Sequence, residues 1–217
     1  MRFVVTAGPT REAIDPVRFI SNRSSGKMGY AIAGAALAKN HQVTLISGPA
    51  AIAPPRGAEF ISITSADELY RAVHRSLRRC DVFVMCAAVS DYKPSTISPQ
   101  KMKKSRRAFA LELVPTRDIL ASLPKRRSYL VIGFAAETHD LKINARKKLR
   151  AKNCDAIVAN DVSGSETGME SNENEVTIFF RDGEIEKISR AQKKKIAREL
   201  VKIFAKMFEK GLTKKSW

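Results

Sequence analysis

The chain has 217 residues and a formal net charge of +17 at pH 7, with 39 basic against 22 acidic side chains. Its 44% hydrophobic and 7% aromatic residues are typical of a folded globular protein and exclude wholesale disorder. A positive excess of this size indicates a polyanionic ligand, which leaves nucleic acid, acidic lipid and phosphorylated small molecules as candidates.

Short apolar and β-branched runs alternate with helical patterns through most of the chain. The runs predict strands at Arg2–Thr6, Gln42–Ser47, Glu59–Thr64, Asp81–Cys86, Tyr129–Ala135 and Ala156–Ala159. The intervening patterns predict helices at 27–39, 66–79, 117–123 and 140–153. This alternation is typical of a Rossmann-like three-layer α/β sandwich with a mostly parallel central sheet.

The last part of the chain has a different pattern. Two strand-like runs, 175–180 and 184–189, flank an Asp-Gly turn and predict a β-hairpin. A basic amphipathic helix is predicted over residues 190–210. We therefore expect a single domain over residues 1–217, in which residues 190–217 form a basic C-terminal helix and tail with a solvated lysine face.

The charge excess is concentrated in three segments. Residues 101–107 have five basic side chains and no acidic ones, and residues 142–152 have six basic side chains and no acidic ones. Residues 190–217 have ten basic side chains against two acidic ones. The basicity is therefore local, and its position in the fold decides which polyanion it suits.

The cysteines and the chain's start indicate a compartment. Cys80, Cys86 and Cys154 lie in or beside apolar runs, which predicts buried thiols in a reducing environment. Their spacing does not suggest zinc. A strand pattern follows Met1 at once, and no apolar run approaches the length of a membrane span. We therefore expect a cytoplasmic protein without a signal peptide or a membrane segment.

The long loop after the first predicted strand, residues 7–29, lacks the standard nucleotide motifs. It has no GxGxxG turn, and the second strand ends without an acid for a ribose, so an NAD site is disfavoured. A complete Walker A motif is also absent. However, Ser24-Ser25-Gly26 leads into a helix N-terminus, which favours phosphate, and Gly8 places further backbone donors nearby. The alternative is an ordinary helix cap and tight turn.

Five further motifs follow predicted strands or open loops. They are AAVSDY at 87–92, KMKK at 101–104, PTRDI at 115–119, GFAAET at 133–138 and ANDVS at 159–163. Together with the 7–29 loop, these collinear motifs resemble phosphopantothenoylcysteine synthetase, and the match extends from Val4 to Phe180. Because Met1 immediately precedes the first strand, we expect a stand-alone synthetase.

The resemblance implies a ligase of coenzyme A biosynthesis that joins 4′-phosphopantothenate to L-cysteine. The pantothenate carboxylate attacks the α-phosphate of a nucleoside triphosphate, for which CTP is expected and ATP is the alternative, and this gives an acyl-nucleotide (with CTP, an acyl-cytidylate) and pyrophosphate. The cysteine amine then attacks the acyl carbon, which forms the amide and releases the nucleoside monophosphate. Mg²⁺ as a cofactor and a homodimer are implied by the same resemblance.

The resemblance also implies roles for individual residues. Asn22 matches an asparagine that contacts the acyl intermediate, and Lys101 matches a lysine that neutralises the pyrophosphate leaving group. Asp91 is expected at the nucleotide site, where it accepts from the nucleotide or holds Mg²⁺. Asn160 is expected to bind substrate. The other residues expected to bind nucleotide are Gly8, Ser24, Ser25, Gly26, Ala87, Ala88, Thr116, Arg117, Asp118, Ile119, Phe134, Lys148 and Lys152.

Several of these residues have simpler explanations. Asn22 is also an ordinary turn residue, Phe134 an ordinary core residue and KMKK an ordinary solvated loop. Lys148 and Lys152 share a helix face, which indicates either a solvated lysine surface or a triphosphate site. For the whole protein, the alternative is a nucleic-acid- or polyanion-binding Rossmann-like protein. No aromatic RNA-binding pattern or recognition-helix motif occurs, so no specific nucleic acid is expected.

Overall fold

An eight-stranded sheet with helices on both faces forms the centre of a computed structural model that describes residues 1–104, 108–137, 139–161 and 171–213. The strands are β1 (Arg2–Ala7), β2 (Arg11–Ala13), β3 (Phe19–Ser21), β4 (Gln42–Ser47), β5 (Glu59–Ser62), β6 (Val82–Met85), β7 (Tyr92–Pro94), β8 (Leu113–Pro115), β9 (Leu130–Glu137), β10 (Ala156–Asp161), β11 (Glu173–Phe180) and β12 (Ile185–Gln192). The helices are α1 (Lys27–Leu37), α2 (Ala66–Ser76), α3 (Leu141–Ala151) and α4 (Lys193–Thr213).

The order of strands in the large sheet is β12-β11-β10-β9-β6-β1-β4-β5. The strands from β10 to β5 run parallel to one another, whereas β11 and β12 pair antiparallel at one edge. Helices α1, α2 and α3 connect successive parallel strands along the chain. The predicted fold class is therefore confirmed: a mostly parallel α/β sheet that ends in an antiparallel hairpin and a helix.

The central strands are buried on both faces because alternate side chains pack against different helices. Phe3 and Val5 of β1 belong to a core shared with α1 and α4. Val4 belongs to the opposite core, which is shared with α2 and α3. Burying each such side chain contributes about 1.5–3 kcal/mol. Burial on both faces also explains why these strands consist of continuous apolar runs rather than alternating ones.

The C-terminal helix begins three residues later than predicted, because residues 190–192 complete β12. Helix α4 buries Ile196, Leu200 and Phe204, which lie one helical turn apart and pack against α1. Its apolar stripe therefore completes the core on one face of the sheet. Within the described residues, no helix combines the length and the apolar character that crossing a membrane requires.

The helix predicted at 117–123 is wrong, because this segment forms turns. The Ser122 N–H donates to Asp118 O at 3.1 Å, which makes a single helical turn. The Asp118 carboxylate accepts the Ala121 N–H at 2.9 Å, which caps the start of this single turn. Pro124 then disfavours helical geometry in the residue before it.

Two short hairpins were not predicted. β2 pairs with β3 in the loop after β1, and β7 pairs with β8 in the loop after β6. Strands of three residues are too short to show a period of two in the sequence. Both hairpins lie in loops that follow central strands of the sheet, and their backbone pairing fixes part of each loop.

The prediction of buried thiols is confirmed for two of the three cysteines. Cys80 and Cys154 are buried and Cys86 is partly buried, and all three are free cysteines. Burial raises the pKa of the Cys80 thiol to about 12 and that of Cys154 to about 11. These thiols therefore stay protonated and pack as small apolar side chains at neutral pH.

Helix α1 lies very close to β1 at Gly29. A Cβ at this position would lie 2.6 Å from the Ala7 Cβ and 2.9 Å from the Thr6 carbonyl oxygen. By contrast, a Cβ on Gly34 of the same helix would have no atom within 4 Å. The close approach at Gly29 fixes the N-terminus of α1 against the end of β1.

We expect Gly29→Ala to lower the free energy of unfolding by about 2 kcal/mol, because backbone atoms must move to admit the methyl group. Gly34→Ala is the matched control and is expected to raise stability by up to about 1 kcal/mol, since alanine favours helix and the space is open. Urea unfolding monitored by circular dichroism measures both. Equal shifts in the two variants would contradict the close approach.

Candidate functional site

A cleft of about 320 Å³ lies at the carboxyl ends of the central strands. Parallel α/β sheets bind their ligands at this edge. A wider groove of about 650 Å³ lies beside it, between α1 and the start of α4, and shares Lys27 and Lys193 with it. The cleft lining is Asn22, Ser24, Gly26, Lys27, Met28, Gly29, Cys86, Ala87, Ala88, Val89, Asp91, Phe134, Ala136, Lys148, Asn160, Asn174 and Lys193.

The loops after β1 and β6 pair with each other beyond the ends of their strands. The Ala88 N–H donates to Gly8 O at 2.9 Å, and the Thr10 N–H donates to Ala88 O at 3.1 Å. The Asn22 side-chain amide also donates to Ala88 O, at 3.2 Å. Asn22 is therefore anchored to the backbone of the opposite loop at the edge of the cleft.

Two buried threonines fix the backbone of the loop after β6. The Thr6 hydroxyl accepts the N–H groups of Cys86 at 3.0 Å and of Ala87 at 3.1 Å. The Thr10 hydroxyl accepts the Ser90 N–H at 3.0 Å. Both threonines are fully buried, so these hydrogen bonds are protected from water. The cleft wall is thus a preorganised backbone surface lined by small side chains.

The N-terminus of α1 forms another wall of the cleft. Gly26 caps the helix with a φ of +76°, a left-handed conformation that glycine adopts without strain. A Cβ on Gly26 would lie 3.3 Å from Gly8, so the two loops meet here at backbone distance. Within the described residues the N-cap Gly26 offers no side-chain cap, and the first turn of α1 has no acidic residue. The positive end of the helix dipole therefore remains available to an anion.

Three lysines from three different helices line the cleft: Lys148, Lys193 and Lys27, whose ammonium donates to the Asn172 side chain at 2.8 Å. The Lys148 ammonium donates to Phe134 O at 2.8 Å, and burial lowers its pKa. Lys193 is only 6% exposed, and its pKa is lowered by burial and then by the charge of Lys27. Ammonium groups held this way without abundant water favour a bound anion.

Among the described residues that line the cleft, Asp91 is the one acidic side chain. The part of the chain that the structure describes contains no group of three or more histidine, cysteine or acidic side chains that could hold a metal ion. A single carboxylate is compatible with Mg²⁺ only where phosphate oxygens and water supply the other ligands. The residues therefore fit a metal that arrives with a polyphosphate.

The structure brings together nine of the residues predicted from the motifs. Their side chains or backbone line one cleft, although their roles stay predictions. They are Asn22, Ser24, Gly26, Ala87, Ala88, Asp91, Phe134, Lys148 and Asn160. Gly8 and Ser25 lie next to lining residues, Gly8 through its backbone bond to Ala88 and Ser25 in the sequence.

The predicted nucleotide turn lies beside the cleft and contributes no side chain to its lining. The Thr116 N–H donates to Asp91 O at 2.8 Å, which ties the turn to the cleft wall. Asp118 forms an ion pair with Lys152. Ile119 is 3% exposed and packs in the core.

Two further predicted cations also lie outside the cleft lining. The Arg117 guanidinium lies 5.1 Å from the centre of the Tyr70 ring and 3.8 Å from the Asp67 carboxylate. Lys101 is exposed, in a loop without regular secondary structure.

Lys27 and Lys193 were not among the predicted site residues. The expectation that the lysines of the terminal helix are all solvated is wrong for Lys193, because α4 packs on α1 and places the first residue of α4 beside the cleft. A signal was present in the sequence: three consecutive lysines open α4, where the helix dipole disfavours positive charge.

The fold and the cleft define an α/β protein with a lysine-lined cleft at the carboxyl edge of its sheet, and comparison with known proteins gives the family. Residues 1–207 match the family described as DNA/pantothenate metabolism flavoprotein C-terminal domain, and the chain belongs to it.

The relatives include coenzyme A biosynthesis bifunctional proteins CoaBC. That of Bacillus subtilis is 51% identical over 182 residues, which cover 83% of this chain and 45% of the relative. That of Escherichia coli K12 is 43% identical over 190 residues, covering 85% of this chain and 47% of the relative. The chain thus spans about half the length of the curated relatives it matches.

Solved structures agree with this assignment. The crystal structure of the C-terminal domain of a coenzyme A biosynthesis bifunctional protein CoaBC has a TM-score of 0.82 and 41% identity and covers 96% of each chain. A Cab2 mutant in complex with phosphopantothenate-cysteine has a TM-score of 0.76 at 15% identity, covering 100% of this chain and 89% of the other, which shows a common fold alone.

We expect Lys148→Met to stabilise the protein without ligand and to weaken its affinity for inorganic pyrophosphate by about tenfold or more, because a half-buried cation is removed. The stability gain is largest below the lowered pKa of Lys148 and shrinks as the pH rises through that pKa, where the ammonium of the unsubstituted protein deprotonates. Thermal unfolding and isothermal titration calorimetry measure the two effects.

Lys147→Met is the matched control, because Lys147 is exposed on the same helix outside the cleft lining. It removes the same charge but is expected to change pyrophosphate affinity little. Equal losses of affinity in both variants would show that net charge, rather than the cleft, attracts the anion.

Proposed function

We propose that the chain is a phosphopantothenoylcysteine synthetase, which joins 4′-phosphopantothenate to L-cysteine through an acyl-nucleotide. The observation that carries this proposal is the convergence of Lys27, Lys148, Lys193 and the uncapped N-terminus of α1 on one cleft beside the anchored amide of Asn22. Membership of the family and the names of the CoaBC relatives support the assignment to coenzyme A biosynthesis.

In the first step, the carboxylate oxygen of phosphopantothenate forms a bond to the α-phosphorus of the nucleotide. The bond between this phosphorus and the β-phosphate oxygen breaks, and pyrophosphate leaves. The lysines and the helix N-terminus hold the phosphates and stabilise the charge that develops on the leaving group. Lys101, on its exposed loop, adds a further cation to the pyrophosphate.

In the second step, the cysteine nitrogen attacks the acyl carbon and loses a proton as the amide forms. The bond from the acyl carbon to the nucleotide phosphate oxygen breaks, and the nucleoside monophosphate leaves. An asparagine amide both donates and accepts, so Asn22 can orient the acyl group in both steps. The contact of Asn22 with Ala88 holds that amide in place.

The finer parts of the proposal follow from the family resemblance. CTP is the expected nucleotide and ATP the alternative, and Mg²⁺ would be held by the phosphates and by Asp91, where it neutralises phosphate charge. Asn160 contacts substrate, Phe134 and the 116–119 turn lie near the nucleotide, and Lys152 adds charge at that turn. The proposed protein is a cytoplasmic homodimer with one synthetase domain over residues 1–217 and no specific nucleic-acid or membrane partner.

A panel of CTP, ATP, GTP and UTP tests the proposal. We expect pyrophosphate release that requires phosphopantothenate, with product amide appearing only when cysteine is present. Lack of pyrophosphate release with every nucleotide, together with salt-sensitive binding to RNA and heparin, would overturn the proposal in favour of a polyanion-binding protein.

We expect Lys101→Gln to slow pyrophosphate release by about 100-fold, because a cation on the leaving group is lost. Asn22→Asp is expected to allow acyl-nucleotide formation but to slow the reaction with cysteine, since an anion replaces a neutral amide. Rapid-quench analysis of both steps separates these effects. The control Lys142→Gln removes an exposed α3 lysine outside the cleft lining and is expected to keep full activity.

A further inference from the structure

A buried carboxylate lies in the turn between β2 and β3. The Asp15 side chain has no exposed surface, and its Oδ1 accepts the N–H groups of Val17 and Arg18, both at 2.8 Å. Its Oδ2 accepts from the Arg18 guanidinium, with Nε at 2.9 Å. The Arg18 guanidinium lowers the pKa of Asp15 well below its ordinary range, so the carboxylate is ionised at neutral pH.

The same ion pair holds the backbone of a distant loop. The Met102 N–H donates to Asp15 Oδ2 at 3.2 Å, and Arg18 Nη2 donates to Met102 O at 2.8 Å. A third contact lies nearby, where the Ser98 N–H donates to Ile14 O at 3.0 Å. Both polar groups of Met102 are thus bound by charged partners that are themselves fixed in a folded turn.

Met102 directly follows Lys101, in a segment without regular secondary structure. A lysine in such a segment samples many positions unless neighbouring backbone is held. Hydrogen bonds to ionised groups are about twice as strong as those between neutral groups, and two of them act on one residue here. The ion pair therefore restricts where the Lys101 ammonium can go.

We propose that Asp15 is a positioning residue, which, with Arg18, clamps the Met102 backbone and so presents Lys101 to the leaving pyrophosphate. The catalytic part of this inference rests on the proposed function, whereas the clamp itself does not. Asp15 touches no reacting atom and acts only through the loop. The clamp uses backbone atoms of residue 102, so it does not depend on the methionine side chain.

The substitution Asp15→Asn removes the contacts of the clamp while keeping the hydrogen bonds of the turn. The asparagine oxygen can still accept from Val17 and Arg18 N–H groups, but an NH₂ group replaces the oxygen that accepts from Met102 and the guanidinium. We expect trypsin to cleave after Lys101, Lys103 and Lys104 several-fold faster in this variant without any ligand. Mass spectrometry of the fragments gives the rate at each bond.

Asp81→Asn is the matched control, because it breaks the carboxylate–guanidinium pair of Arg2 and Asp81 away from this loop. It is expected to leave these cleavage rates unchanged. Arg18→Lys keeps the charge but loses the fork that reaches both Asp15 and Met102, and is expected to speed cleavage as Asp15→Asn does. Unchanged cleavage in both clamp variants would overturn the clamp, whether or not the protein is a synthetase.

A double-mutant cycle tests the catalytic consequence. We expect Asp15→Asn alone to lower the kcat of pyrophosphate release by about 10- to 100-fold, with less change in the KM for nucleotide, because a catalytic group is misplaced. In a chain that already carries Lys101→Gln, the same substitution is expected to have almost no further effect. Multiplicative losses would overturn the positioning role, since a general structural defect acts regardless of Lys101.

Discussion

The cleft depends on backbone pairing that continues past the ends of β1 and β6. The Gly8, Thr10 and Ala88 hydrogen bonds bring the backbones of the loops after β1 and β6 together. Gly8 has a φ of +69°, and a Cβ there would lie 2.8 Å from Gly48 O. The anchored amide of Asn22 and the course of the loop that leads to Asp91 both depend on this pairing.

The charge in the cleft has an energetic cost in the protein without ligand. Burial disfavours the ammonium forms of Lys148 and Lys193, and Lys27 adds repulsion toward Lys193. Under the proposed function, a bound triphosphate would offset both costs, since it supplies opposite charge where water is scarce. The residues that reduce stability in the free protein would then provide affinity, and this trade is typical of functional sites.

The sequence allowed the sheet to be predicted because its central strands are buried on both faces and therefore appear as unbroken apolar runs. The β-hairpin was predictable from two strand-like runs that flank an Asp-Gly turn, and α4 was predictable from its basic amphipathic pattern. Residues 117–123 also have helical spacing, but Pro124 ends the segment soon after its single helical turn, so only turns remain.

The candidate site was predictable only where short motifs mark the loops. Family resemblance, rather than periodicity, indicated Asn22, Asp91 and Lys148, and the structure places all three at one cleft. Lys193 was not predicted as a site residue because its position depends on how α4 packs against α1, which is a contact between distant parts of the chain. The clamp at Met102 was not predicted because the Asp15 and Arg18 side chains bind backbone groups of Met102, and these groups have no sequence signal of their own.

The chain's large positive charge thus divides into groups with different physical roles. Lys27, Lys148 and Lys193 are drawn from α1, α3 and α4, so no one charged segment builds the cleft. Lys193 is the first residue of α4, and the apolar residues that follow it, Ile196, Leu200 and Phe204, pack in the core against α1. The packing of α4 against α1 therefore completes the core and also places Lys193 at the cleft. A chain without α4 would lose both. This coupling makes the basic C-terminal helix part of the site's construction as well as a charged surface.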